Sequence, residues 1–231
     1  MIVATNVSFS YPGCASALNE ISFCLEDGKK YALVGANGAG KSTLLSLLCA
    51  LEMPNSGSIE IDSIPLDKAH VQEVRNRVGM VFQNPDDQLF MPTVYDDVAF
   101  ALRNRGLAES LVAEQVNGLL EQMGLMHLRD RPPYRLSGGE KRSAAIATAL
   151  VMKPGTLLMD EPTAFLDPRA RRNFLNQLKS MQIGMLIATH DLDLAKEYMD
   201  GVLIMKEGRI HIQGGTALLN DAQLMEDALM V

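Results

Sequence analysis

The sequence holds no tryptophan, and aromatic residues make up only 5% of its 231 positions. Cysteine is equally sparse: Cys14, Cys24 and Cys49 are scattered, with no C-x-x-C spacing. That pattern excludes a disulfide framework and a zinc site, and reads as reduced thiols of a cytosolic protein, each expected to serve as a small core hydrophobe. From Met1 to Pro12 no basic stretch leads into an apolar one, so no signal peptide is expected. The longest weakly polar run, Ser143 to Met152, is too short to span a bilayer. The chain is therefore expected not to cross a membrane by itself, although it could dock on something that does. Basic residues are outnumbered, 21 Lys and Arg against 28 Asp and Glu, for a net charge of −7. This balance argues against nonspecific nucleic-acid binding and against a polybasic membrane anchor.

What is present is ordinary globular material. Hydrophobic residues reach 47% and charged residues 21%, enough for a substantial core in one domain, or one domain with an insertion. The 14 methionines read as core filler. Alternating, β-rich stretches run from Ile2 to Phe9 and from Leu18 to Leu25. A buried strand is expected over Lys29–Val34, a helix over Lys41–Leu51, a turn over Pro54–Gly57, and further strands over Ser58–Ile61 and Val78–Phe82. The middle changes character, with helical patterns over Val94–Arg105, Glu109–Met123 and Ser137–Met152. Strands and helices then alternate again: Leu157–Met159, Pro168–Met181, Met185–Thr189, Asp191–Tyr198, Val202–Met205 and Arg209–Ile212. The alternation predicts an α/β fold with a mostly parallel sheet and helices on both faces. A helical block over roughly 85–152 interrupts it.

Three motifs carry chemistry. Gly35-Ala36-Asn37-Gly38-Ala39-Gly40-Lys41-Ser42 fits G-x-x-x-x-G-K-[ST] between an expected strand and an expected helix. Its glycines let the backbone wrap a phosphate, and the free N–H groups at the helix start donate to it. Lys41 can reach the β- and γ-phosphates, and the Ser42 hydroxyl can ligate Mg²⁺. Leu157-Leu158-Met159-Asp160-Glu161 places Asp160 at the carboxyl end of a buried strand, where it can hold the same magnesium. Glu161 beside it is a reasonable general base toward water. Finally, Leu136-Ser137-Gly138-Gly139-Glu140 reads as a capping box opening a helix. It also leaves Ser137, Gly138 and Gly139 at a second anion-binding helix start. Two phosphate-directed helix starts in one chain suit a nucleotide held between two subunits.

With these motifs in this order, the whole chain resembles the ATP-binding cassette family of ATPases. The resemblance implies a P-loop NTPase (RecA-like) core with an N-terminal antiparallel β subdomain and an inserted α-helical subdomain. The core would comprise 1–84 and 153–231, and the signature subdomain 85–152. It implies ATP and Mg²⁺ as cofactors, and a head-to-tail homodimer or heterodimer in which the P-loop of one subunit faces the signature of the other. Gly35, Asn37, Gly38, Gly40, Lys41, Ser42 and Thr43 would then bind ATP, joined by Ser137, Gly138 and Gly139. By position, Tyr11 matches the aromatic that stacks on adenine, and Gln83 the glutamine that touches Mg²⁺ and the attacking water. Asp167 matches the loop that crosses the dimer interface, and it also reads as a helix N-cap before Pro168. His190 matches the histidine that contacts the γ-phosphate. Glu140-Lys141 departs from the more usual Gln followed by a basic residue. The cluster Arg169, Arg171 and Arg172 reads as a solvated helix face.

The stretch Gln83-Asn84-Pro85-Asp86-Asp87-Gln88-Leu89-Phe90 is similar to the glutamine loop of energy-coupling-factor transporters, importers of cobalt, nickel, biotin and other vitamins. Asp96-Asp97-Val98-Ala99-Phe100 and Leu166-Asp167-Pro168-Arg169 fit that group too. The short stretch after the last α/β elements leans toward the dedicated cobalt, nickel or biotin systems. The resemblance implies integral membrane subunits docking near the glutamine loop, a peripheral location on the cytoplasmic face of the cell membrane, and no nucleic-acid partner. The alternative is a soluble, non-transport ATPase of this family acting in nucleic-acid repair or translation, which predicts a second cassette, a long coiled-coil insertion or a basic face. A non-hydrolysing nucleotide switch predicts loss of Glu161 or His190, and both are present.

Overall fold

The computed structural model describes residues 1–13 and 15–229. Strands β1 (Ile2–Ser10), β2 (Ser16–Leu25), β4 (Ser56–Ile61) and β5 (Ile64–Pro65) form an antiparallel sheet in the order β2-β1-β4-β5. Strands β3 (Lys30–Val34), β6 (Val78–Val81), β7 (Thr156–Asp160), β8 (Gly184–Thr189), β9 (Gly201–Lys206) and β10 (Arg209–Gly215) form a second sheet, ordered β10-β9-β3-β8-β7-β6. Its strands run parallel except β10, which pairs antiparallel with β9. The expected parallel sheet is thus real but ends in one antiparallel edge strand, as a tight β9–β10 turn allows.

Side-chain alternation explains why this second sheet is buried on both faces. Tyr31 and Leu33 of β3, Leu158 of β7, Leu186 of β8 and Leu203 of β9 share one core with the antiparallel sheet. Helix α1 (Lys41–Leu48) lies in that core and buries Leu44, Leu45, Leu47 and Leu48 completely. Each such leucine contributes about 1.5–3 kcal/mol. The in-between residues Ala32, Val34, Leu157, Met159, Ile187, Val202 and Ile204 face a second core. Helices α5 (Gly138–Leu150), α6 (Pro168–Ser180), α7 (Leu192–Tyr198) and α8 (Ala222–Leu229) cover that face. Helix α2 (Val71–Arg77) packs Val74 on the first face. The sequence pattern announces no element there, because seven residues with one buried apolar position leave no readable stripe. Helix α8 is equally unannounced. The expected turn over Pro54–Gly57 is in part the start of β4 at Ser56.

A third core holds Val94, Val98 and Leu102 of α3 (Val94–Asn104) and Val112, Val116 and Leu120 of α4 (Glu109–Gln122). Helix α5 serves two cores at once: Ala145, Ile146 and Ala149 face the sheet, while Ala144, Ala147 and Val151 at its end face α3 and α4. Small residues on both faces let one helix sit tightly between two layers. Among the described residues no helix is long and apolar enough to cross a membrane. Cys49 is buried as expected, with its thiol pushed up to about 12 by that burial. Cys24 is exposed, because it falls between the buried Phe23 and Leu25 on edge strand β2. Cys14 lies outside the described residues.

Asp97 of α3 is buried, and one carboxylate oxygen accepts the backbone N–H groups of Phe90 (2.9 Å) and Met91 (3.0 Å). The other oxygen has no partner. Burial holds this carboxyl above its ordinary range against the pull of the two N–H groups. Asp97→Ala, which leaves both N–H groups unpaired, is expected to destabilise the fold by about 1–3 kcal/mol in denaturant unfolding. Asp97→Asn keeps an acceptor and should cost less. Because the folded carboxyl binds its proton more tightly than the unfolded one, the wild type should gain stability relative to Asp97→Asn as pH falls through the carboxylate range.

Candidate functional site

The parallel register brings four strand ends to one edge. Val34 pairs with Thr189, Asp160 with Ala188, and Val81 with Met159. The residues that follow, Gly35, Glu161, His190 and the Phe82–Gln83 segment, therefore emerge together at the carboxyl end of the sheet, where α/β folds place ligands.

The loop from Gly35 to Gly40 opens helix α1. A Cβ on Gly35 would stand 2.3 Å from the Met205 carbonyl oxygen. Gly40 adopts φ +102°, and a Cβ there would stand 2.8 Å from the Ala17 carbonyl oxygen. Both positions exclude any side chain, so the loop can wrap tightly before the helix begins. Lys41 is buried, and its ammonium donates to the carbonyls of Gly35 (2.8 Å) and Ala36 (3.1 Å). A buried cation bonded only to neutral carbonyls of an anion-cradling loop is matched to a phosphate. Helix α1 has no acidic residue in its own first turn, so none of its own side chains cancels the positive end of its dipole.

Asn37, Gly38, Gly40, Lys41, Ser42 and Thr43 line a cleft of about 430 Å³ together with Gln83, Asp160 and Glu161. Ser42 hydrogen-bonds Asp160, whose carboxyl is pushed up by burial and by the neighbouring Glu161, and drawn down by Ser42 and Lys41. Ser42, Asp160 and Gln83 offer hard oxygen donors, which suit Mg²⁺, and a cation there would offset the burial of Asp160. Among the described residues no three His, Cys, Asp or Glu side chains form a metal cluster. A magnesium ion at this place would rely on phosphate oxygens and water for its remaining ligands.

Glu161 is buried at φ +42°. Its backbone N–H donates to the Ala188 carbonyl at 2.8 Å, and its carboxylate lies 2.9 Å from His190 Nδ1 and 3.3 Å from the His190 backbone nitrogen. The imidazole itself is 71% exposed. A carboxylate fixed by a histidine at the rim of a phosphate cleft is an arrangement for moving a water proton.

Other expected residues fall elsewhere. Tyr11 does not line this cleft; its ring stands edge-on to Phe9, with centroids 4.9 Å apart. Ser16, Ala17, Glu207 and Gly208 do line it, and no motif in the sequence announces them. Ser137 and Gly139 border a separate cleft with Asn173 and Phe174. The capping box there is formed: Glu140 accepts from the Ser137 backbone (2.8 Å) and hydroxyl (2.7 Å), and these bonds hold its carboxyl below the ordinary range. Asp167 caps α6 by accepting from the Arg169 and Ala170 backbones at 2.9 Å each. Phe165, two residues before Asp167, is 94% exposed at φ +63°.

The expectation of a solvated arginine face holds for Arg169 and Arg172 but not for Arg171. Arg171 grips Asp191 with two bonds of 2.9 and 2.8 Å, and this pairing raises its already high pKa. Asp191 follows His190 directly and caps α7 through the Leu194 N–H at 3.0 Å. The clamp fixes the backbone just beyond the imidazole, a role only the folded chain reveals.

Comparison with known proteins agrees with this geometry. The family model for the ABC transporter matches residues 18–164. A Geobacter sulfurreducens protein, whose name gives no finer branch than ABC transporter ATP-binding protein, is 49% identical over 89% of this chain and 83% of its own length. The energy-coupling factor transporter ATP-binding protein EcfA of Carboxydothermus hydrogenoformans is 40% identical over 96% of this chain and 83% of its own. Among solved structures, cbiO1 from Clostridium perfringens, part of the ABC transporter complex cbiONQ, superposes with a TM-score of 0.86 at 36% identity, covering 98% of this chain and 92% of that one. The chain belongs to the ABC transporter family and is one of its ATPases.

Proposed function

We propose that this chain is the ATP-hydrolysing subunit of an importer of the energy-coupling-factor type, whose cargo is a cobalt or nickel ion, biotin or another vitamin. One observation carries the chemistry: Lys41, Ser42, Gln83, Asp160 and Glu161 converge on a single cleft. The branch is supported by the Gln83–Phe90 stretch, by the EcfA relative and by the cbiO1 neighbour. The segments 1–84 with 153–231, and 85–152, serve as nucleotide-binding core and signature subdomain.

In this reading the N–H groups at the start of α1 and the Lys41 ammonium hold the phosphates. Ser42, Asp160 and Gln83 hold Mg²⁺, which when bound neutralises phosphate charge and polarises the γ-phosphoryl oxygens. Glu161 accepts a proton from water as the new O–P bond forms and the β–γ bond breaks. His190 fixes Glu161 and, being exposed, is free to turn toward the γ-phosphate. Ser137 and Gly139 border a different cleft from the P-loop, so a second subunit must supply the signature to each nucleotide. Asp167 and the exposed Phe165 lie on the loop that reaches toward that subunit. The chain works at the cytoplasmic face of the membrane, held there by integral membrane subunits.

The patch for those subunits lies on the stretch that follows Gln83 and on helix α3. Phe90 is 63% exposed and stacks edge-on with Phe100, itself 39% exposed, at 5.1 Å. Paired exposed aromatics are suited to anchoring a partner.

Glu161→Gln is expected to lower phosphate release by about 10²–10⁴-fold and to trap an ATP-bound dimer on size-exclusion chromatography; wild-type turnover would remove Glu161 as the base. Phe90→Asp should weaken capture of the membrane subunits by about 30-fold or more, as loss of a hot-spot aromatic does, while basal hydrolysis stays unchanged. Copurification from the native membrane, followed by identification of the attached proteins, tests the branch: attached integral subunits support it, and recovery with nucleic acid instead would overturn it.

A further inference from the structure

The sheet order gives the P-loop cleft two unlike sides. The P-loop follows β3, and the strands run β10-β9-β3-β8-β7-β6. Asp160 and Glu161 at the end of β7, and Gln83 after β6, therefore approach from one side of the loop. The turn between β9 and β10 approaches from the other, and its Glu207 and Gly208 line the cleft with Ser16 and Ala17. A nucleotide whose terminal phosphate and metal face the acidic pair must leave the loop, nucleoside end first, on the side of β9.

That side is built rigidly. Gly208 donates its N–H to the Ala39 carbonyl of the P-loop (3.0 Å), and its own carbonyl accepts the Asn19 N–H (2.8 Å). A Cβ on Gly208, at φ +75°, would stand 2.6 Å from the Ala17 carbonyl oxygen, the same atom that excludes a Cβ at Gly40. Lys206 pairs with Arg209 across a two-residue turn whose central residues, Glu207 and Gly208, both have positive φ, +48° and +75°. Asn, Asp or Gly is the usual occupant of such a first position, and here a longer acid stands there instead. Among the described residues Glu207 makes no hydrogen bond or ion pair, and the nearby Arg209 turns to Glu20 at 3.2 Å. Ser16 spends its hydroxyl proton on the Leu18 carbonyl at 3.0 Å. Both polar side chains on this side therefore offer acceptors, which repel phosphate and suit a ligand that donates.

We propose that Glu207 reads the sugar of the bound nucleotide: its carboxylate accepts hydrogen bonds from the 2′- and 3′-hydroxyls of ribose, and so favours ribonucleotides over deoxyribonucleotides. The ribose is the first unit after the α-phosphate, so it meets whatever is bonded to the P-loop on the side away from the metal. Its two neighbouring hydroxyls match the two oxygens of one carboxylate, and bonds to an ionised acceptor are the stronger kind. An acidic side chain holds ribose in dinucleotide-binding folds by the same chemistry. This role rests on the ATP reading of the cleft and adds the part of ATP that the β9–β10 turn meets.

The test is equilibrium binding of ATP, 2′-deoxyATP and inosine triphosphate to the full chain, measured by calorimetry with magnesium omitted to prevent turnover. Wild type, Glu207→Gln and Glu207→Ala are compared. Wild type is expected to bind ATP about tenfold more tightly than 2′-deoxyATP, as loss of a hydrogen bond to a charged group implies. In Glu207→Ala the two should differ by less than about twofold, through weaker binding of ATP and not tighter binding of 2′-deoxyATP. Glu207→Gln, which keeps an oxygen acceptor without the charge, should fall between them. The preference for ATP over inosine triphosphate should be the same in all three proteins. An equal preference for ATP over 2′-deoxyATP in wild type and Glu207→Ala overturns the proposal, and so does a wild type that does not distinguish the two. A change confined to the inosine triphosphate ratio places Glu207 at the base and overturns it as well. If wild type binds none of the three nucleotides, the ATP reading of the cleft fails instead. Should Glu207→Ala disturb the turn, as thermal unfolding would show, Glu207→Gly suits the positive φ and is scored on the same readouts, with the same outcomes.

Discussion

The site depends on one constraint, the parallel register of β6, β7, β8 and β3. Pairing Val34 with Thr189 and Asp160 with Ala188 places the P-loop, the acidic pair and His190 at the same height on the sheet. A slip of one residue in any strand would turn its two buried rows inside out. The two apolar cores that fix the register therefore also fix the distance between Lys41, Asp160 and Glu161. Folding energy and catalytic geometry rest on the same side chains, Leu157 and Met159 on one face and Leu158 on the other.

Around this edge the protein keeps several charges where water is scarce. Lys41, Asp160 and Glu161 are buried at the cleft, and Arg142 and Asp97 are buried in the helical part. The first three face a space sized for phosphate and metal, which would satisfy them. The last two bond to backbone and each keeps one buried polar atom without a partner: Arg142 donates to carbonyls of the Gln83 loop, and Asp97 accepts from the N–H groups of Phe90 and Met91. The segment from Phe82 to Met91 thus hangs between a buried cation and a buried anion, each paired with main chain rather than with an opposite charge. Such bonds define position sharply and contribute little net stability. On the proposed reading, that property suits a segment that reports on nucleotide and passes the report to a membrane partner.

What the sequence made legible was local. The P-loop, the capping box at Ser137 and the acidic strand end at Asp160-Glu161 all declare themselves within eight residues, because tight turns and helix starts restrict residue type. The strands were legible by pattern, β1 and β2 as alternating stretches and those of the parallel sheet as apolar runs. Arg142, Gln88 and Arg171 were not, although they organise the site. Their partners lie 60, 57 and 20 residues away, and an isolated Arg or Gln on a helix carries no mark of such a partner. The short helix α2 and the exposed Cys24 stayed hidden through weak periodicity and strand alternation, which only the register resolves. Ser16, Ala17, Glu207 and Gly208 reach the cleft only because β2 and the β9–β10 turn pack beside the P-loop.

The two helix starts of this chain are not equivalent, and the difference bears on how a cycle could run. Helix α1 begins with no acid in its first turn and a buried lysine folded over the loop, so on the proposed reading it is the stronger of the two phosphate sites. Helix α5 begins with Glu140 in its first turn, already engaging the Ser137 hydroxyl and backbone. That carboxylate opposes an incoming anion and occupies the donors that would greet it. On the proposed reading, the signature is therefore a weak half-site that closes only on the concentrated charge of a γ-phosphate already seated in the other subunit.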